Sequence, residues 1–109
     1  MKRGEIFTVA AGGGYGGKPR PAVIVQSDRF DQTSSVSLYL FTSDSVEAPI
    51  FRLAIEAGAT TGLAQRSWLM VDKVATVRRQ NLGKRLGMLS DEDILRVNRA
   101  LAVFLGLAG

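Results

Sequence analysis

Residues 19–26 read Pro-Arg-Pro-Ala-Val-Ile-Val-Gln, and this octet limits the fold more than any other part of the chain. Two prolines around Arg20 favour extended backbone and disfavour helix. The apolar run behind them, 21–26, is nearly continuous rather than alternating. It predicts a central strand buried on both faces. A parent fold built on helices is thereby set aside for this half of the chain.

The flanking sequence continues in the same manner. Residues 4–10, 35–42 and 50–57 are short runs rich in β-branched and aromatic residues, separated by turn residues. In 50–57 the alternation puts Phe51, Leu53 and Ile55 on one side. Residues 67–72 and 73–79 predict two further strands with a bend near Asp72 and Lys73, and 84–89 predicts a short one. The last segment differs. Ser90 stands as N-cap before Asp91, Glu92 and Asp93, where a helix dipole favours negative charge. Ile94, Val97, Leu101, Phe104 and Leu105 then recur at helical spacing, as a core-facing stripe does. The expected fold is a single domain over 1–109, mainly β with a C-terminal α-helix. It is a small, partly open β-barrel of about five to seven strands closed by that helix.

The loop before the central strand, Gly-Gly-Gly-Tyr-Gly-Gly-Lys at 12–18, matches two phosphate-binding signatures by letters alone. A Walker A loop needs Ser or Thr after its lysine and then a helix. Pro19 follows Lys18 here, and the next element is a strand. The dinucleotide fingerprint fails for the same reason. The glycines instead predict a mobile hairpin loop between the first two strands, a place where another backbone can approach closely.

Composition removes whole classes of chemistry. The chain has no histidine and no cysteine, so it lacks the usual acid–base catalyst near neutral pH and the common zinc ligands. Disulfides are excluded, no apolar run is long enough to span a bilayer, and 1–7 lack a signal-peptide core. A cytoplasmic protein that works without a cofactor or membrane is expected. The net charge is +4, and between Arg66 and Arg85 six cations face Asp72 alone. Clustered cations attract polyanions, because bound phosphates release condensed counterions. A solvated basic face is the plainer alternative.

Taken in order, Lys2–Phe7, the glycine loop, Arg20–Asp28, Leu38–Ser43, Ser67–Val77 and Gly83–Leu89 before a closing helix resemble the MazF/PemK toxin family. Each motif alone is weak, while their order and spacing cover nearly the whole chain. The resemblance implies an SH3-like barrel of the CcdB/MazF type, a homodimer in a bacterial cytoplasm, and metal-independent cutting of single-stranded RNA at a preferred sequence. The products implied are a 2′,3′-cyclic phosphate and a 5′-hydroxyl end. A cognate antitoxin would lay a C-terminal peptide in the RNA groove. Two other readings stand beside this one. A non-enzymatic gyrase poison of the related CcdB type is disfavoured by the tail Gly106–Gly109, which has no tryptophan. An SH3-like nucleic-acid-binding module without catalysis is the other.

The reaction needs a base for the 2′-hydroxyl, cations for the phosphorane and an acid for the leaving 5′-oxygen. By resemblance, Arg20 is the family's arginine before the second strand's proline, and its planar fork suits phosphate oxygens. Thr42, at the end of the third strand, matches the family's threonine and donates a hydroxyl, with Ser43 assisting. Asp72 matches an acidic position in many relatives, where it orients Arg20, accepts a proton, or pairs with Lys73 or Arg78. Lys18, Arg66, Lys73 and Arg78 are candidate RNA contacts. Tyr15 is a candidate base-stacking residue in the loop. Ser67 reads as structural, and Trp68 as a core residue rather than a platform for a base. The sequence departs from several relatives in lacking His or Glu in the first loop, and in carrying Met70 where some have arginine.

Overall fold

The computed structural model describes residues 1–10, 18–43 and 52–108. Among these, six strands and one long helix follow in the order β1 (Glu5–Val9), β2 (Arg20–Ile24), β3 (Ser35–Thr42), β4 (Arg52–Ile55), β5 (Ser67–Arg78), β6 (Leu82–Met88) and α1 (Asp91–Phe104). The strands form one antiparallel sheet in the order β4-β5-β3-β2-β1-β6. The short strands and terminal helix are those expected. The sheet has β4 and β6 as edges and is not closed on itself.

β2 lies inside the sheet, as its apolar run requires, with Ala22, Val23, Ile24 and Val25 all buried. Its alternate residues feed two cores. Val23 joins Ile6, Tyr39, Phe41, Ile55 and Leu69 in the larger cluster, where Val97 of α1 is buried and Ile94 and Leu101 pack. Ala22 joins Val9 and Leu38 on the other face, where Leu40, Ala75 and Leu82 pack against them. Burying a large aliphatic side chain contributes about 1.5–3 kcal/mol, so the pairing of β1, β2 and β3 is fixed from both sides.

Two expectations change. Residues 67–78 form one twelve-residue strand rather than two. The bend near Asp72 survives as a break in register: Phe41 faces Leu69 while Tyr39 faces Val74, so β5 bulges over 70–73. The helical stripe is buried only in part. Ser90 caps α1 by accepting from the Asp93 amide at 3.1 Å, but Phe104 and Leu105 at the far end are exposed.

The segment between β4 and β5 is held against β6 by glycines. Gly62 has φ of +73°, and a Cβ there would lie 2.0 Å from the Leu86 carbonyl oxygen. Neither the dihedral nor the space admits a side chain. Gly62→Ala is expected to cost about 1–3 kcal/mol from overpacking, read as a lower Tm in thermal unfolding. An unchanged Tm contradicts this packing.

Candidate active site

The hydrogen-bonding register assembles the site. In the β1–β2 ladder Val9 faces Arg20. In the β2–β3 ladder Ala22 faces Leu40, and continuing that register by two residues brings Arg20 level with Thr42. Thr42 faces Trp68, and Trp68 faces Ala54. Directly opposed residues share one face of a sheet. Val9, Arg20, Thr42, Trp68 and Ala54 therefore form a row across five strands, on the face away from the larger core.

Arg20 and Thr42 are half-buried within this row, and Lys18 and Ser43, close to them along the chain, are exposed. A half-buried guanidinium next to a hydroxyl is a donor pair suited to phosphate oxygens, since charge-assisted hydrogen bonds strengthen where solvent is thinned. Tyr15 lies outside the described residues. Ser67 is buried, and its hydroxyl donates to the Gln65 carbonyl at 3.1 Å, a structural role as expected.

Trp68 corrects the sequence reading. It is only partly buried and belongs to neither core cluster. The guanidinium carbon of Arg66 sits 5.4 Å from the centre of its ring. An apolar run such as 68–71 gives no sign of which residue faces outward.

Asp72 is held by a residue that the sequence reading passed over. Its carboxylate accepts from Arg52 Nη1 at 2.6 Å and from Lys73 Nζ at 3.3 Å. Arg52 comes from β4 and faces Met70, the position where some relatives have arginine. The guanidinium is thus supplied by the neighbouring strand. The signal was available in 50–57, where Arg52 alternates with the apolar Phe51, Leu53 and Ile55. Burial pushes the Asp72 carboxyl up, but the hydrogen bonds from Arg52 and Lys73 outweigh it and leave the group below its ordinary value. A carboxylate so stabilised is a poor proton acceptor.

Nearby Tyr39 is not a neutral-pH base either. Burial, and then the negative charge of Asp72, push its phenol up to about 12. Its hydroxyl is buried with no hydrogen-bond partner among the described residues.

Arg78 stands apart from the row. It faces Ser35, at the opposite end of β3 from Thr42. Thr42 lies seven steps along β3 from Ser35, about 23 Å at ~3.3 Å per residue. Arg78 lines a separate hollow with Ser34, Ser35, Arg79 and Gln80. Arg79 is committed to the backbone carbonyls of Asp31 and Thr33. Charge counted along the sequence thus merges two places that the fold separates.

The Asp72 geometry has a pH consequence. A carboxyl whose folded-state pKa is lowered adds stability that is present above its unfolded value. That stability is lost as pH falls through the lowered one. The Tm gap between the wild type and Asp72→Asn is therefore expected to be full at about pH 6 and to shrink below about pH 4. A gap that stays constant down to about pH 3 contradicts this ion pair.

Residues 2–105 match the family described as PemK-like, MazF-like toxin of type II toxin–antitoxin system. The chain is 52% identical over 109 residues, the full length of both, to the protein named probable endoribonuclease MazF from Mycolicibacterium smegmatis. Its fold is similar to an endoribonuclease in complex with its cognate antitoxin from a mycobacterial species. There the TM-score is 0.79 at 24% identity, over 100% of this chain and 98% of that one. It is also similar to a MazE-MazF crystal structure from Deinococcus radiodurans, with a TM-score of 0.81 at 17% identity over 99% and 98% of the two chains. With the fold and the matched family spanning nearly all of its length, the chain belongs to the PemK-like, MazF-like toxins of type II toxin–antitoxin systems.

Proposed function

We propose that this protein is an endoribonuclease toxin that cuts single-stranded RNA without a metal ion and at a preferred sequence. It leaves a 2′,3′-cyclic phosphate and a 5′-hydroxyl. The observation that carries this reading is the level placement of Arg20 and Thr42 on one sheet face. Family membership and the 52% identical relative named as an endoribonuclease support the same class of activity.

In this mechanism the scissile phosphate lies across Arg20 and Thr42. The 2′-oxygen bonds to phosphorus and gives up its proton, the bond from phosphorus to the 5′-oxygen breaks, and that oxygen gains a proton. Charge grows on the non-bridging oxygens as the phosphorane forms. Arg20 meets that charge with a planar fork and Thr42 with a hydroxyl donor, and such donors act most strongly where charge develops. Asp72 serves as a positioning residue that fixes Arg52 rather than as the base. Lys18, Ser43, Arg66 and Lys73 guide the RNA backbone toward the row. Arg78 contacts RNA only where the strand runs on past the far end of β3.

The neighbour solved with its cognate antitoxin supports an antitoxin for this chain too, and our reading lays that antitoxin's C-terminal peptide in the RNA groove. A homodimer is supported by the apolar side chains exposed at and just beyond the end of α1, Val103, Phe104, Leu105 and Leu107. Light scattering at micromolar protein is expected to give twice the chain mass of 11.7 kDa, and a monomer there refutes this part.

With excess EDTA the purified protein is expected to cut single-stranded RNA and leave 5′-hydroxyl ends. A requirement for Mg²⁺, or 5′-phosphate ends, refutes the mechanism. Arg20→Ala is expected to lower kcat by about 100-fold or more, the scale of losing one preorganised oxyanion donor, with the variant still folded by circular dichroism. Wild-type turnover in that variant refutes the site.

A further inference from the structure

We infer that Trp68 is a stacking platform for an unpaired nucleobase next to the phosphate held at Arg20 and Thr42. The inference rests on the ribonuclease reading above and adds a base-recognition residue to it. Three observations lead there. Trp68 directly opposes Thr42 in the β3–β5 ladder, so its indole stands one strand from the phosphate donors. It is partly exposed and lies outside both buried clusters, so packing alone does not account for a side chain of this size. Finally, its ring already carries a stacked cation, with the Arg66 guanidinium 5.4 Å from the ring centre.

That cation is weakly held. Arg66 Nε pairs with Glu56 at 3.0 Å, but the two side chains are 56% and 74% exposed, and exposed pairs contribute little. A base cannot enter between guanidinium and indole, because two stacking contacts of about 3.5 Å each exceed the gap. The base therefore takes the place of Arg66 on the solvent side of the ring. Arg66 exchanges Glu56 for a backbone phosphate of the bound strand. Stacking of this kind tolerates any base, so Trp68 strengthens binding and sets the register of the RNA over Arg20 without reading its sequence.

Trp68 is the only tryptophan beside two tyrosines, so fluorescence excited at the red edge, beyond tyrosine absorption, reports on this ring alone. The probe is a short single-stranded RNA made uncleavable by 2′-O-methyl groups, with binding followed in parallel by the anisotropy of a dye on the oligonucleotide. Fluorescence quenching is expected to saturate at the same concentration as the anisotropy. In cleavage assays Trp68→Ala is expected to raise KM about 5- to 150-fold, equivalent to about 1–3 kcal/mol of lost stacking, with kcat changed only a few-fold. Trp68→Phe should restore most of the loss, and Trp68→Leu, which fills the space without an aromatic ring, carries the test if the alanine variant does not fold. Binding by anisotropy with unchanged fluorescence, or wild-type KM in a folded variant lacking an aromatic ring, overturns the platform while leaving the ribonuclease reading intact. A wild-type protein that neither binds nor cuts RNA overturns both.

Discussion

The register between β2, β3 and β5 is the constraint on which the site depends. Side chains alternate along a strand, so a slip of one residue would send Arg20 or Thr42 to the opposite face. Buried pairs on both faces hold the register: Val23 against Tyr39 in the larger cluster, and Ala22 against Leu40 on the other side. The two chemical groups occur just where this buried ladder ends. There the backbone is still rigid and the side chains begin to meet solvent, a good place to hold a phosphate without sealing it away.

Electrostatics divides the charged residues into two groups with different tasks. Arg52, Asp72 and Lys73 form a linked set at the bulge of β5, in which each charge is already partly satisfied. Such a set shapes the local field and stabilises the fold while Asp72 is ionised, and its carboxylate is a weak proton acceptor. Arg20 and Thr42 lie on the row beside it as a cation and a hydroxyl donor. With no histidine in the chain and Tyr39 held as a neutral phenol, stabilising the transition-state charge is the contribution these residues are best suited to make.

Much of the architecture was legible before any coordinates. The proline-bounded apolar run specified an inner strand, the alternating segments specified its neighbours, and Ser90 with its acids specified the start of α1. The unread parts share a physical cause, in that they depend on which strand lies beside which. Arg52 looks like one solvent-facing arginine until β4 is paired with β5, which sets it opposite Met70 and within reach of Asp72. Trp68 lies in a run where every residue is apolar, so only the ladder reveals that it shares a face with Thr42. Arg78 is close to the other cations in sequence, but β5 carries it to the end of β3 opposite Thr42. The element after the glycine loop is strand β2 rather than the helix that a Walker A or dinucleotide loop needs, and the proline-bounded run is enough to predict that strand.

The most direct test of the central claim is a crystal structure with an uncleavable single-stranded RNA bound. The account predicts the phosphate at the blocked cleavage point within hydrogen-bonding distance of both the Arg20 guanidinium and the Thr42 hydroxyl. A scissile phosphate seated instead in the hollow of Arg78 and Arg79, with the Arg20–Thr42 row empty, would contradict it.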